Sequence, residues 1–265
     1  MALYDESNKR IEYLDPRSSD IGLWIALGKM SGHSTFDLVG TASDIGIGDT
    51  PIDLWDVGTQ YIFSETADIG SVSSSSSADT GTLIVYGLKS DYTNIVQEVS
   101  LSGQDTVSID INLIRVYYAY NNGATDYVGD IYIYVNGADV TSGVPDDTDD
   151  IRAKIKVGFN QTQMIVYTVP AGYSALVAGI NNSFLKSTTG TAETFWRIRA
   201  YGEVFRRVGP SYLISTGTSS NPQCCTLPVF LPEKTDFAIE CSAVSVNNTA
   251  VTSTISMILI NNNYL

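Results

Sequence analysis

The sequence predicts an all-β protein made of tandem β-sandwich (jelly-roll-like) domains with an extended N-terminal arm. Short runs rich in Val, Ile, Thr and Tyr recur along the 265 residues and are separated by Gly, Asn and Pro, as in sandwiches, jelly rolls and barrels. No helical apolar period continues for three turns. Charged residues are only 17% of the chain, and 16 Tyr with abundant Ser, Thr and Asn suit β surfaces that form hydrogen bonds rather than ion pairs.

Residues 1–53 are predicted to form an extended arm or anchor. Their most apolar stretch, 21–27, reads Ile-Gly-Leu-Trp-Ile-Ala-Leu, which is too short and too rich in glycine for a helix and fits a strand or a docking segment. Five glycines and Pro51 follow it. A segment that is apolar but full of turn residues packs poorly on its own. We therefore expect it to wrap a neighbouring subunit, with Trp24 in the contact.

The first sandwich is predicted at residues 54–145. The last of its strand-like runs ends at the hairpin signal Asn136-Gly137. Six serines and one valine at 71–77 are typical of a flexible solvent loop. The predicted strands are 82–86, 95–101, 109–120 and 127–135.

A run of four aspartates at 146–150 separates the two predicted sandwiches. The charge changes sign there, because residues 1–150 hold 24 Asp/Glu and 6 Lys/Arg whereas residues 151–265 hold 5 and 9. We expect the two domains to face different neighbours, the acidic one facing solvent or a basic partner. A calcium loop is the alternative for Asp146–Asp150, although the run lacks the spacing and the distal Glu of an EF-hand.

The second, mildly basic sandwich is predicted at residues 151–265. Its strand-like runs are 163–169, 173–182, 195–208, 226–231, 236–246 and 249–260. In the third run, alternation places Trp196 on one face and Arg197 and Arg199 on the other. The arginines of this region are predicted to bind the acidic half of another copy, an ordinary solvated face being the alternative. They are Arg197, Arg199, Arg206 and Arg207.

No residue pattern indicates catalysis, a metal or a cofactor, and we predict a protein that is not an enzyme. His33 is the only histidine and lies in a turn-rich stretch that offers a catalytic base no rigid support. Gly46-Ile47-Gly48 is not followed by the Lys-Ser/Thr of a phosphate loop. Among 29 Asp/Glu, pairs of carboxylates are inevitable and say nothing about glycoside hydrolysis.

Charge, hydropathy and cysteine content limit the partners. A net charge of −14 argues against nucleic acid and against an anionic membrane. No run of 18 apolar residues predicts a membrane span, and no signal peptide begins the chain, so we expect synthesis in a cytoplasm. Cys224, Cys225 and Cys241 are not a disulfide framework; buried free thiols and a bridge between Cys225 and Cys241 both stay open.

Tyrosines are most concentrated between residues 117 and 134. Tyr132 and Tyr134 share one face of a predicted strand. We predict that this face packs or forms a subunit interface, where Tyr is enriched. A carbohydrate-binding platform is the alternative.

Several short motifs, in order along residues 52–260, resemble minor virion structural proteins of tailed bacteriophages, of the capsid-decoration, head-fibre or neck type. None is highly specific alone, and their order carries the resemblance. They are Leu-Trp-Asp-Val-Gly at 54–58, Leu-Ile-Val-Tyr-Gly-Leu at 83–88, Glu-Val-Ser-Leu-Ser-Gly at 98–103, Arg115-Val116, Tyr-Thr-Val-Pro-Ala-Gly at 167–172, and Leu-Pro-Glu-Lys-Thr-Asp at 231–236 with the Asn-Asn-Thr-Ala-Val of 247–251.

The resemblance implies a non-enzymatic, oligomeric component of the virion, made in the host cytoplasm. Its partners would be other virion proteins, either the major capsid protein or neck and tail proteins. The leading hypothesis is a protein that decorates or cements the capsid, or joins head and tail components, through β-domain contacts. The alternative is a tail-fibre or receptor-binding protein that recognises host surface glycan.

Overall fold

The structure, a computed structural model, describes residues 21–185, 189–215 and 218–265; of these, the side chains of residue 21 and residues 215–227 are not described. Helix α1 spans Ile21–Ala26. The strands are β1 His33–Ile45, β2 Ile52–Asp53, β3 Ile69–Ser74, β4 Thr82–Leu88, β5 Asn94–Ser100, β6 Val107–Leu113, β7 Arg115–Asn121, β8 Ile131–Val135, β9 Val140–Thr141, β10 Val144–Pro145, β11 Ile151–Ile155, β12 Val166–Thr168, β13 Tyr173–Leu185, β14 Gly190–Arg199, β15 Arg206–Ser215, β16 Thr218–Leu231, β17 Asp236–Val244 and β18 Thr249–Asn261.

Two antiparallel sheets built from residues 33–53 and 166–261 form one sandwich. Their strand orders are β1-β18-β13-β16 and β12-β17-β14-β15, with β2 also paired to β17. When β2 and β12 are taken as one strand, the orders are 1-8-3-6 and 2-7-4-5, the two Greek keys of a jelly roll. We call this unit the jelly roll. Alternate residues of its strands fill the core between the sheets, the largest including Phe184, Trp196 and Phe237.

The second strand of the jelly roll is interrupted by another domain. Asp53 in β2 lies opposite Glu240 of β17, and Val166 in β12 lies opposite Ala238 of the same strand. Residues 54–165, called here the inserted sandwich, lie between β2 and β12. The chain leaves the jelly roll after Asp53 and re-enters it at Val166, and the two crossing points are adjacent. The Ile165 N–H donates to the Leu54 carbonyl at 3.0 Å. The two sandwiches are therefore nested, and not in tandem as the sequence predicted.

The inserted sandwich packs the sheet β11-β8-β3-β6 against the sheet β5-β4-β7. Its core contains Leu83, Val85, Leu113 and Ile131. The same cluster also includes Val166 and Ala238, which lie on the outer face of the jelly roll. The two domains thus share a continuous apolar contact and are not joined by a flexible linker alone.

The all-β prediction is confirmed, but the predicted arm needs correction. Residues 33–45 form β1, which pairs with β18 from His33 to Ile45. Gly40 allows the close approach of the inserted sandwich, since a Cβ there would lie 2.7 Å from the Ile165 nitrogen. The glycines that favoured an arm are thus sites of close packing and turns. Residues 1–20 of the predicted arm lie outside the described residues.

The predicted boundary at the aspartate run also needs correction. Residues Thr148–Asp150 form a 3₁₀ turn, and the next strand, β11, pairs with β8 inside the inserted sandwich. Lys154, counted with the basic half, pairs with Asp130 at 2.8 Å. The inserted sandwich carries 15 Asp/Glu and 5 Lys/Arg, whereas residues 21–53 and 166–265 carry 9 and 7. Acidity therefore belongs to the inserted sandwich.

Two shorter predictions differ as well. Residues 21–26 are one short helix, where a strand or docking segment was predicted. The serine-rich stretch begins as the fully buried β3. Ser73 Oγ donates to the Gly143 carbonyl at 2.9 Å and Ser74 Oγ to Asp79 Oδ2 at 2.5 Å. Because each hydroxyl has a partner, serine is tolerated in a buried strand.

Candidate functional site

Within the described residues, no group of three or more His, Cys, Asp or Glu side chains is arranged to hold a metal ion. His33 Nδ1 lies 2.9 Å from the Ser31 carbonyl, a local turn contact. Asp147 of the aspartate run caps its own 3₁₀ turn by accepting from the Asp149 N–H. Along the same described ranges, no helix is long and apolar enough to cross a membrane.

Buried charges join the inserted sandwich to the outer face of the jelly roll, and we call this arrangement the ionic seam. At one end, Arg115 from β7 donates to Asp236, the first residue of β17, at 3.1 Å. Arg199 of β14 donates to the other oxygen of Asp236 at 2.6 Å. Thr168 Oγ1 donates to Asp236 Oδ1 at 2.6 Å. Arg115 is 1% exposed, so this guanidinium depends on protein partners.

The other end of the ionic seam contains two neighbouring carboxylates, Asp53 and Glu240. Asp53 Oδ2 accepts from Arg197 at 3.0 Å and from the Tyr61 N–H at 2.7 Å. Burial raises the pKa of Asp53 to about 7, against the opposing effect of Arg197. Glu240 is held by Gln60 Nε2 from the inserted sandwich and by Arg207 from β15, both at 2.7 Å.

Aromatic rings separate the two ends of the seam. Phe63 of the inserted sandwich and Phe205 of the jelly roll lie 5.1 Å apart between ring centroids. The guanidinium carbons of Arg197 and Arg199 each lie 4.6 Å from the centre of the Phe205 ring, and that of Arg115 lies 5.1 Å from Phe63. These cation–π contacts add to the ion pairs that hold the domains together.

The ionic seam explains most of the predicted interface arginines. The alternation of Trp196 with Arg197 and Arg199 is as predicted, but the inserted sandwich of the same chain covers the arginine face. Arg197 is 7% exposed and donates to the Tyr61 carbonyl at 2.9 Å. Arg197 therefore lacks the exposed area that a contact with another copy needs. Arg199, Arg206 and Arg207 stay partly or largely exposed.

The predicted interface tyrosines also lie inside the chain. Tyr132 and Tyr134 are buried, because both faces of β8 are covered. Tyr134 Oη is 2.8 Å from Thr106 Oγ1, and the Lys154 ammonium lies over the Tyr132 ring at 5.3 Å. These two side chains are core residues of the inserted sandwich. Trp24 is half-buried in α1, and the nearby Leu23 and Leu27 are largely exposed.

A different set of tyrosines is accessible on the outer face of the sheet β5-β4-β7. Tyr86 projects from β4, and Tyr118 and Tyr120 project from β7. The ring centroid of Tyr118 lies 5.7 Å from that of Tyr86 and 5.7 Å from that of Tyr120. The ring planes of Tyr86 and Tyr120 make an angle of only 31° with each other. Three half-buried rings thus form an aromatic platform at the surface.

The platform continues into a cleft of about 560 Å³ between the two domains, called here the aromatic cleft. Phe36 of β1 and Tyr167 of β12 supply its jelly-roll wall, with ring centroids 4.8 Å apart. Tyr117 meets Tyr167 edge-on at 5.5 Å. Burial raises the pKa of Tyr117 to about 12, so its hydroxyl stays protonated at neutral pH.

Two amide side chains supply polar groups at the aromatic cleft. Tyr118 Oη donates to Gln161 Oε1 at 3.0 Å, and Tyr117 Oη donates to Asn94 Oδ1 at 3.2 Å. The cleft lining contains no Lys, Arg or His among the described residues, and Asp37 is its one carboxylate there. The aromatic cleft is therefore an aromatic and hydrogen-bonding site without positive charge.

Sequence reasoning missed Arg115 and Asp53 of the ionic seam. At the aromatic cleft, the tyrosine concentration at 117–134 includes Tyr117 and Tyr118, but Phe36, Tyr86 and Tyr167 were missed. Arg115 interrupts the apolar run Leu113-Ile114-Arg115-Val116, and Asp53 interrupts Ile52-Asp53-Leu54. A lone charge within a buried strand requires a partner, and that signal could have identified the seam. Nothing in the sequence joins Phe36 to Tyr86, because they lie on different domains.

Exposed apolar side chains are found on one edge strand of the jelly roll. Tyr212 and Ile214 of β15 are 65% and 69% exposed, and Val208 is 39% exposed. Strand β15 ends the second sheet, so its outer edge is also open within the described residues. Apolar side chains along an open edge favour association with another chain.

Comparisons with known proteins yield no family. No family model and no curated protein matches the chain. Among solved structures, the infectious bursal disease virus Gx strain matches over 86% of this chain and 72% of the other, with 14% identity and a TM-score of 0.24. The structure of the Gt strain of the same virus matches over 88% of this chain and 74% of the other, with 12% identity and a TM-score of 0.24. The VP2 subviral particle of infectious bursal disease virus matches over 88% of this chain and 73% of the other, with 12% identity and a TM-score of 0.21. TM-scores under 0.5 do not establish a shared fold.

Proposed function

We propose that the protein is a non-enzymatic structural component of a virus particle that assembles through β-domain contacts. The observation that carries this proposal is the architecture: an acidic sandwich fixed on a jelly roll by a buried ionic seam. Jelly rolls are common in viral capsid and lectin domains. The ordered motifs that resemble phage virion proteins point in the same direction.

The distribution of exposed residues supports a division of labour between the domains. The jelly roll offers the apolar edge of β15, with Tyr212 and Ile214, for contact with a neighbouring subunit. The inserted sandwich, whose net charge is −10, faces solvent or a basic partner. In this arrangement the protein decorates or cements a phage head, or joins head and tail parts, and binds the major capsid protein or neck and tail proteins.

The direct test is to locate the protein and to measure its assembly. Mass spectrometry of purified particles should detect it in fixed ratio to the major capsid protein. The isolated chain should form a defined oligomer in light scattering, and the mass should depend on salt between about 0.05 and 0.5 M NaCl. Absence from particles together with a monomer at all salt concentrations would reject the proposal.

A paired variant tests the edge strand. Tyr212→Ser with Ile214→Ser removes the two most exposed apolar groups of β15 and should lower the oligomer mass. Val128→Ser is the control, because Val128 is 65% exposed on the inserted sandwich. An equal change in both variants would show that β15 is not the contact.

A receptor-binding role toward host glycan is the second candidate. The observation that favours it is the aromatic cleft with its platform of Tyr86, Tyr118 and Tyr120.

A further inference from the structure

We infer that the aromatic cleft and its platform bind a neutral saccharide. The inference deepens the second candidate above and names the site and the ligand class, and it does not depend on how the protein assembles. Its basis is the combination of accessible rings, paired amides and a described lining without Lys, Arg or His in one cleft between the two domains.

The rings suit the apolar face of a pyranose. A tyrosine ring carries negative charge on its face, which attracts the positively polarised C–H groups of a sugar. Tyr86, Tyr118 and Tyr120 are half-buried, so part of each ring remains open. Their mutual distances of 5.7 to 6.2 Å give one continuous stacking surface.

The amides suit sugar hydroxyls. Gln161 and Asn94 use their oxygens to accept from Tyr118 and Tyr117. This orientation leaves the amide N–H groups as donors at the cleft, and no hydrogen bond joins them to the part of the chain that the structure describes. Fixed amides beside aromatic rings can orient a hydroxyl-rich ligand.

The charge of the cleft excludes other ligand classes. Phosphate and sulfate groups bind most strongly to Arg and Lys, and the described lining contains neither. Asp37 repels an acidic sugar. A purely apolar ligand would cover the amide N–H groups of Gln161 and Asn94 without giving them a partner. The volume of about 560 Å³ lies within the range of small-ligand sites.

The experiment is a binding titration of the purified full-length protein. The probes are neutral hexasaccharides of α-1,4-linked glucose, β-1,4-linked glucose and β-1,4-linked N-acetylglucosamine. Their binding is measured by calorimetry and by NMR. A heparin hexasaccharide serves as the anionic comparison. At least one neutral probe should bind, and heparin should not.

Variants locate the site. Tyr118→Ala should weaken binding about ten-fold through the lost stacking surface. Tyr118→Phe keeps the ring and should weaken binding less than Tyr118→Ala. Phe230→Ala is the control, since Phe230 is a half-exposed aromatic residue on β16. Thermal unfolding of each variant checks that the fold persists.

Three results would overturn the inference. They are no binding of any neutral probe at millimolar concentration, binding of heparin alone, or equal weakening by Tyr118→Ala and Phe230→Ala. A change of oligomer mass in Tyr118→Ala, with no saccharide binding in the wild type, would assign the platform to a protein contact. Particle incorporation is measured separately, so either proposal can fail while the other stands.

Discussion

Arg115 of the inserted sandwich donates to Asp236 of the jelly roll at 3.1 Å, although the two residues are 121 positions apart in the chain. Asp236 also accepts from Arg199 on the neighbouring strand, so one carboxylate holds two guanidinium groups from two domains. The junction of the domains therefore combines an apolar contact with buried charges that must stay paired.

Replacing Asp236 should be strongly destabilising. Asp236→Asn leaves the 1%-exposed Arg115 without a counter-ion, and breaking a buried pair costs about 3–5 kcal/mol. Urea unfolding at neutral pH measures the loss. Glu203→Gln is the control, because its pair with Arg206 is exposed and should contribute about 0–1 kcal/mol. Similar losses in the two variants would contradict the assignment of Asp236.

Asp53 should make stability fall as the pH rises. Burial raises its pKa from 3.8 to about 7, so the folded state binds the proton more tightly than the unfolded state. Its stabilising contribution is complete below about pH 4 and is lost as the pH rises through 7. Asp53→Asn should reduce this slope in unfolding curves taken between pH 4 and 8.

Two other carboxyls, Asp56 and Asp91, define the controls for that experiment. Asp56, whose pKa burial raises to about 6, adds a slope of the same sign, so Asp53→Asn reduces the dependence without abolishing it. Asp91 is fully exposed and its pKa is lowered by the Thr93 hydroxyl, so Asp91→Asn should leave the slope between pH 5 and 8 unchanged. An unaltered slope in Asp53→Asn would refute the prediction.

Gly40→Ala should destabilise the junction of the two domains. The new Cβ would overlap the Leu54 carbonyl and lie 2.7 Å from the Ile165 nitrogen, both backbone atoms. Overpacking of this kind costs about 1–3 kcal/mol. Gly48→Ala is the matched control, since no atom lies within 4 Å of a Cβ there. Chemical unfolding of both variants decides the matter, and an equal effect would mean that Gly40 is not a packing site.

Phe184 and Leu185 test the register of β13. Phe184 is fully buried in the jelly-roll core, and Leu185 is 59% exposed on the next position. Phe184→Ala should cost about 3–5 kcal/mol, and Leu185→Ala should fall within about 0.5 kcal/mol of the wild type. The reverse order of the two effects would require a shift of the strand by one residue.

Local patterns predicted many strands, because a two-residue period is a local property. The predicted run 82–86 lies within β4, and 249–260 coincides with β18 to within one residue. Strand β1 was missed because Gly40 and its polar residues obscure the inward positions Leu38 and Ala42. Such a strand is stabilised by its long pairing with β18 rather than by its own composition.

The nesting of the domains could not be predicted, since it depends on pairing between distant residues. Asp53 of β2 pairs with Glu240 of β17, far along the chain and beyond the whole inserted sandwich. Alternation correctly placed Arg197 opposite Trp196, but a periodicity does not say what covers the polar face. The tyrosine concentration at 117–134 was visible in the sequence, but its meeting with Phe36 in one cleft was not, because the two belong to different domains.

The interrupted strand makes the inserted sandwich an exchangeable cassette. Leu54 and Ile165 are already joined by a backbone hydrogen bond, so a tight turn could replace residues 55–164 and leave the jelly roll in register. Asp53, Asp236 and Glu240 would then become ordinary solvated acids. In the course of evolution, one jelly roll could carry different cassettes at this position, provided that each new cassette satisfied those three carboxylates.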